Sequence, residues 1–249
     1  MYAYFNYIHI LYIILFFVLL IIFHRLLKGK SLIVQKIVLL LLVAVSAFFE
    51  FSDVFRYLEF GTKTLFYNLP LFACDLNIFI LPLAILRTGR KDTLNKFVLY
   101  YVTTGPCFTL LIPEISENVY TWYSNEILGT FLPHSIYIIV AILYLKFNHI
   151  RCSPSKPYKV LSCMLVILTI VHIFNLILIF TDIFPDANYM FTGKAPPMAW
   201  ANILANALGY RNKYIRSYFL LVLGYTLLTT IAFLIHKCLD KNFTHVSCA

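Results

Sequence analysis

The chain has 249 residues, 61% of them hydrophobic and only 12% charged, with a formal net charge of +9 and a mean hydropathy of +0.82. Soluble domains average about 25% charged residues, so this composition excludes a soluble enzyme and reads residues 1–249 as a single integral membrane domain. It also excludes nucleic acid as the reason for the positive charge, which in a membrane protein is read loop by loop.

A membrane span needs about 20 mostly apolar residues. Seven segments qualify, predicting an all-α polytopic helical bundle. The first, roughly 5–24, opens on "MYAYFNYIHI", without a positive n-region or an A-x-A site before Phe23, so it is expected to stay as a helix instead of being cleaved. The second, 33–51, and the third, 69–86, are followed by 97–113, 127–147, 160–181 and 217–236. Most connections are short. The stretch 182–216 is long enough to expect structure or a functional role of its own. No internal repeat, Walker A loop, GxSxG elbow or HExxH motif is present.

Basic residues set the expected orientation. Arg25, Lys28, Lys30, Lys36, Arg87, Arg90, Lys91, Lys96, Lys146, Arg151, Lys156, Lys159, Lys237 and Lys241 fall on one side, fourteen of the twenty, while Glu114, Glu117 and Glu126 mark the other. The positive-inside rule then places the N-terminus outside and the C-terminus inside, and a plasma-membrane location is expected.

The third segment, "YNLPLFACDLNIFILPLA", carries Cys74, Asp75 and Asn77 at depth. An ionisable group in lipid costs about 2.5–3.5 kcal/mol even on a lenient scale, so such residues are expected to line an internal site. With about 1.5 Å of rise per residue, Cys74 falls about 6–8 Å below a helix entry at Asn68–Pro70. His134, in "GTFLPHSIYI", falls about 10 Å below the entry of the fifth helix. The two share a level. A cysteine with a histidine base is a nucleophile for acyl transfer, and a helix N-terminus near the sulfur favours the negative charge that develops.

Other readings compete. A lone buried cysteine is usually inert packing, and all six cysteines fit small apolar residues inside a bundle. Without CxxC pairs or zinc spacing, no metal is expected, and no cofactor is implied. Cys107, on the fourth helix, is the runner-up nucleophile. His172 and Asn175, one turn apart, could orient His134 or bond each other. Asp75 and Asn77 diverge around a helix, so one of them would face the site. The remaining histidines, His9 among them, fall at ends and loops where interfacial roles suffice, and the aromatic residues read as lipid-facing or core.

The ordered stretches "LPLFACDLNIFILPLAIL", "GPCFTLLIPE", "FLPHSIYI" and "NYMFTGKAPP" resemble the YwaF family of bacterial multi-pass membrane proteins, itself similar to the animal transmembrane protein 164 acyltransferases. The resemblance covers roughly residues 30–236. It implies a seven-helix enzyme that moves a fatty acyl chain from a phospholipid to a lysophospholipid. Its cysteine and histidine carry over onto Cys74, in "LPLxxC", and His134, in "PHS". Many bacterial members have a histidine two residues before the cysteine, where this chain has Phe72. In "NYMFTGKAPP", Asn188, Tyr189 and Lys194 are expected to cover the outer mouth, with Lys194 offered to a lipid phosphate.

The expected function is therefore a membrane-embedded lipid acyltransferase working through a Cys74 thioester with His134 as base, and its partners are membrane lipids. Nothing in the sequence selects an oligomeric state. The alternative is a transporter, or a non-catalytic membrane protein with a polar intramembrane site. A seven-helix receptor comes last, for want of a DRY-like or NPxxY-like signature.

Overall fold

The computed structural model describes residues 7–57, 66, 69, 71–87, 92–111, 125–148, 156–192, 203, 207 and 212–246. Among these, all regular structure is helical. Helix α1 spans Tyr7–Leu27, α2 Leu32–Tyr57, α3 Asn77–Leu86, α4 Asp92–Phe97, α5 Thr104–Leu111, α6 Asn125–Phe147, α7 Pro157–Phe180 and α8 Lys213–Val246. Five of them are long and apolar enough to cross a membrane: α1, α2, α6, α7 and α8. The protein is an all-α, multi-pass membrane protein in contact with lipid.

The chain divides into two compact units. The first holds residues 1–56 and 73–152, the second 57–72 and 153–249.

In the first unit α6 is the most enclosed span: 67% of its apolar window is buried, against 11% for α1. Helices α1, α3 and α5 all pack on it. Near the start of α1, Tyr12 stacks on Phe131 of α6 at 4.6 Å. Near its end, His24 lies parallel to Phe147 at 5.7 Å. The two helices therefore run parallel. His9 was expected at an interface, but it is fully buried, and its Nε2–H donates to the carbonyl of Leu110 at 2.6 Å. That bond satisfies a C-terminal orphan carbonyl of α5, and ties the start of α1 to the end of α5.

The α1–α2 connection is built from caps. Gly29, at φ +77°, takes the left-handed conformation that commonly ends a helix. The buried Gln35 side chain donates to Leu27 O at 3.1 Å, and Ser31 Oγ accepts from Val34 N at 3.4 Å.

Two predicted spans take a different form. The third is helical only over Asn77–Leu86. The fourth is broken at Val98–Val102, a π-helical turn between α4 and α5, in which Thr103 N donates to Val98 O at 3.2 Å. The Thr103 hydroxyl takes Leu99 O at 2.5 Å, and the Thr104 hydroxyl takes Tyr100 O. These side chains help to satisfy backbone groups that a regular ladder would pair, a need that is acute in an apolar medium. Lys96, expected in a polar connection, is 1% exposed within α4.

In the second unit α7 packs along α8, and both meet a short 3₁₀ turn, Tyr189–Phe191. Asn175 of α7 holds that turn. Its Nδ2 donates to Tyr189 O at 2.8 Å and Thr192 Oγ1 at 2.7 Å, and its Oδ1 accepts from Tyr189 N at 3.1 Å. Met190 and Phe191 both have positive φ, near +52° and +57°, a conformation non-glycine residues seldom take. The Asn175 bonds hold the Tyr189 backbone before it and the Thr192 hydroxyl after it.

Replacing Asn175 with alanine leaves buried groups of the turn unpaired, and it is expected to cost about 2–4 kcal/mol. Thermal unfolding in detergent, with hydrogen exchange at residues 187–192, measures this.

Candidate functional site

The site belongs to the first unit. Residues 73–76 form turns ahead of α3, with Asn77 N bonded to Cys74 O at 3.2 Å and Ile78 N to Asp75 O at 3.0 Å. Cys74 therefore sits in the turn that leads into α3, not a turn deep inside a helix as expected. It still lies at a helix N-terminus. The assumed entry, Asn68 and Pro70, lies outside the described residues.

Cys74 is half-buried and is not in a disulfide. Its thiol lies within electrostatic reach of the Asp75 side chain and of Glu50 on α2. Asp75 and Asn77 are both buried. The divergence expected of neighbours on a helix does not apply, because only Asn77 is helical.

His134 is buried on α6, one residue after the in-helix Pro133. Its Nδ1 lies 2.6 Å from Thr130 O. A carbonyl only accepts, so Nδ1 carries the proton and the neutral ring has its lone pair on Nε2. That Nε2 is buried without a hydrogen-bond partner among the described residues. Pro133 contributes on its other side, its carbonyl accepting the buried Ser46 hydroxyl of α2 at 3.3 Å.

Tyr137, one turn along from His134, joins the two halves. Its ring meets His134 edge-on, with centroids 6.3 Å apart, and its hydroxyl interacts with Glu50, Asp75 and Cys74. That hydroxyl makes no well-formed hydrogen bond among the described residues, although the Ser46 side chain lies close enough to act on it, and Asn77 Nδ2 is buried without a partner among them. Buried polar groups are nearly always paired, so each of these side chains has hydrogen-bonding capacity left for a ligand or water. Cys74 and His134 thus both border Tyr137, while no hydrogen bond joins the thiol to the imidazole. Sequence reasoning missed Ser46, Glu50 and Tyr137. Glu50, an acid within "AFFEF" in a predicted span, was the one legible signal.

The other candidates fall elsewhere. Cys107 packs with Tyr12, Leu110, Phe131 and Ile138 in an apolar cluster, which suits packing better than nucleophilic attack. In the second unit His172 lies against Tyr218 at 4.8 Å, with Nδ1 unpartnered among the described residues. Asn175 spends its amide on the 3₁₀ turn and not on His172. Tyr189 is buried in an aromatic cluster with Phe72, Phe174 and Phe184, and its hydroxyl donates to Phe66 O. It is therefore an anchor for the turn. Phe72 also meets Phe191 at 5.5 Å, so the position where a histidine was looked for is here part of that cluster. Asn188 is half-buried, its carbonyl accepting from Phe191 N at 2.9 Å. Cys163 and Cys238 are exposed instead of packed inside. Lys194, Cys152 and Cys248 lie outside the described residues. Among the described residues no cluster of His, Cys, Asp and Glu is arranged to hold a metal.

A family model matches residues 4–237, and its description is the TMEM164 family. No curated protein and no solved structure matches the chain.

Cys107→Ala removes a sulfur from an apolar cluster, so it is expected to cost about 1 kcal/mol of stability and to leave alkylation of Cys74 unchanged. Unfolding curves and mass-spectrometric mapping of the labelled thiols check both halves.

Proposed function

Because the chain belongs to the TMEM164 family, we propose that it is a membrane-embedded lipid acyltransferase in which Cys74 carries the acyl group and His134 moves the proton. The observation that carries this reading is the state of His134: Thr130 O holds Nδ1–H, leaving a buried, unengaged Nε2 lone pair on the helix that also borders Cys74.

The chemistry follows from those groups. The Cys74 sulfur attacks the carbonyl carbon of a phospholipid ester as its proton passes to His134 Nε2. With Asp75 and Glu50 close to the sulfur, loss of the proton during attack is favoured over a standing thiolate. A direct thiol–imidazole bond is not required beforehand, since catalytic hydrogen bonds often tighten only with substrate in place. The tetrahedral oxyanion needs a donor, and we assign that role to the Tyr137 hydroxyl, which borders Cys74. Collapse breaks the ester C–O bond, the imidazolium protonates the departing lysolipid alkoxide, and a thioester remains. An acceptor lysolipid hydroxyl then gives its proton to Nε2 and attacks the thioester, and the thiol is restored. Hydrolysis would use water in the same step.

In this reading the protein has seven crossings, an outer N-terminus, an inner C-terminus and a site open toward the outer leaflet of the plasma membrane. Lys194 and Asn188 remain candidates for contact with the lipid head.

Wild type, Cys74→Ala, His134→Ala and Tyr137→Phe in nanodiscs receive isotopically labelled phospholipid and a lysophospholipid. Labelled acyl on Cys74, product lost in the first two variants, and a rate lowered roughly 10²-fold in the third are expected. Product formation that survives Cys74→Ala would overturn the thioester mechanism. Solute flux that survives Cys74→Ser, without any acyl adduct, would instead favour a transporter.

A further inference from the structure

Helices α1 and α6 end side by side, at Leu27 and Phe147, and each end is also the end of an apolar span. Between them lies a half-open slot of about 230 Å³. Its walls are Leu20 and Ile21 of α1 and Ile142 and Leu143 of α6, and it is bordered by His24, Arg25 and Lys146. The His24 ring lies flat against Phe147, and both Lys146 and Lys28 act on it electrostatically. Arg25, Lys28 and Lys146 have no ion pair among the described residues. Basic residues at these helix ends also suit the macrodipole and the positive-inside pattern. Neither effect calls for an apolar slot beneath the charges.

The combination is chemically particular. Cations with no ion pair among the described residues stand at the ends of two apolar spans, and an apolar wall runs back from them along both helices. A free phosphate would use the cations and gain nothing from leucine and isoleucine. A neutral acyl chain would use the wall and leave the cations unanswered. Ligand pockets for drug-sized molecules run to about 300–1,000 Å³, so this slot suits only a lipid's head-proximal portion, the rest of each chain staying in the bilayer. Arginine can bind a phosphate through two N–H groups, with lysine adding a point charge.

We infer that this slot is a binding site for an anionic glycerophospholipid, its phosphate held by Arg25 and Lys146 and the first carbons of one acyl chain lying along Ile21 and Ile142. Lys146 is twelve residues from His134, about 18 Å along α6, so the inference stands apart from the acyl-transfer reading.

The test uses the full chain in mixed nanodiscs of phosphatidylglycerol and phosphatidylcholine with identical acyl chains, followed by stepwise delipidation and native mass spectrometry. Wild type is expected to retain phosphatidylglycerol about tenfold better than phosphatidylcholine. The double variant Arg25→Gln/Lys146→Gln should bring the two lipids near parity. Ile21→Trp, which keeps every charge and fills the slot, should do the same. Should the double variant fail to fold, Arg25→Gln alone takes its place. Equal retention of both lipids by wild type would overturn the site. So would a preference that persists in either variant: persistence in Ile21→Trp would mean general surface attraction, and persistence without the cations would remove the phosphate contact. Glycerol 3-phosphate, which has the phosphate and no chains, should not displace the lipid at equal concentration; displacement would reassign the site to a free phosphate.

Discussion

In an apolar solvent every backbone carbonyl and N–H must find a partner inside the protein, and in the first unit that requirement converges on one turn of α6. Pro133 has no N–H to give the carbonyl four residues back. Beside this interruption two side chains add bonds of their own to neighbouring carbonyls. Ser46 comes from α2 to the Pro133 carbonyl, and His134 turns its imidazole back on Thr130 O. The bond that ties α2 to α6 and the bond that selects the His134 tautomer thus come from adjacent residues of the most enclosed helix.

The carboxylates fit the same logic from the opposite direction. Glu50 and Asp75 sit where lipid would penalise them, and both bear on the Tyr137 hydroxyl and the Cys74 thiol. Charged and neutral polar groups are gathered in one place, so the unfavourable burial of each is shared by groups that can exchange or donate protons. The second unit solves its buried-polar problem differently. Asn175 uses both ends of its amide on a single turn, which yields a closed structural contact with nothing left over for chemistry.

How much of this was legible depended on range. The helical class and the long spans α1, α2, α6, α7 and α8 were readable, because a run of about 20 apolar residues has few other solutions. Cys74 and His134 were readable as candidates because reactive residues are conspicuous among so many inert ones. The turn at 73–76 was not readable: an apolar run with one polar cluster looks the same whether it is helical or interrupted. Tyr137 was hidden among eighteen tyrosines. Its importance lies in what surrounds its hydroxyl, Glu50, Asp75 and Cys74, which only the fold brings together. His9 was misplaced for a similar reason, since proximity to a chain end says nothing about the carbonyl of Leu110, a hundred residues away in sequence.

The π-helical turn at Val98–Val102 has a further consequence. Such a turn amounts to one extra residue wound into an α-helix, and each residue is worth about 100° of rotation. The azimuth of α5 relative to α4 is therefore offset by a single insertion, and the face that carries Cys107 and Leu110 against α1 and α6 is defined by that offset. In a chain that lost one residue within 98–102, these side chains would swing toward lipid, and the Leu110 carbonyl would turn away from His9. The phase of α5 is set there, as a gear tooth sets phase, by length alone and independently of which apolar residues fill the turn.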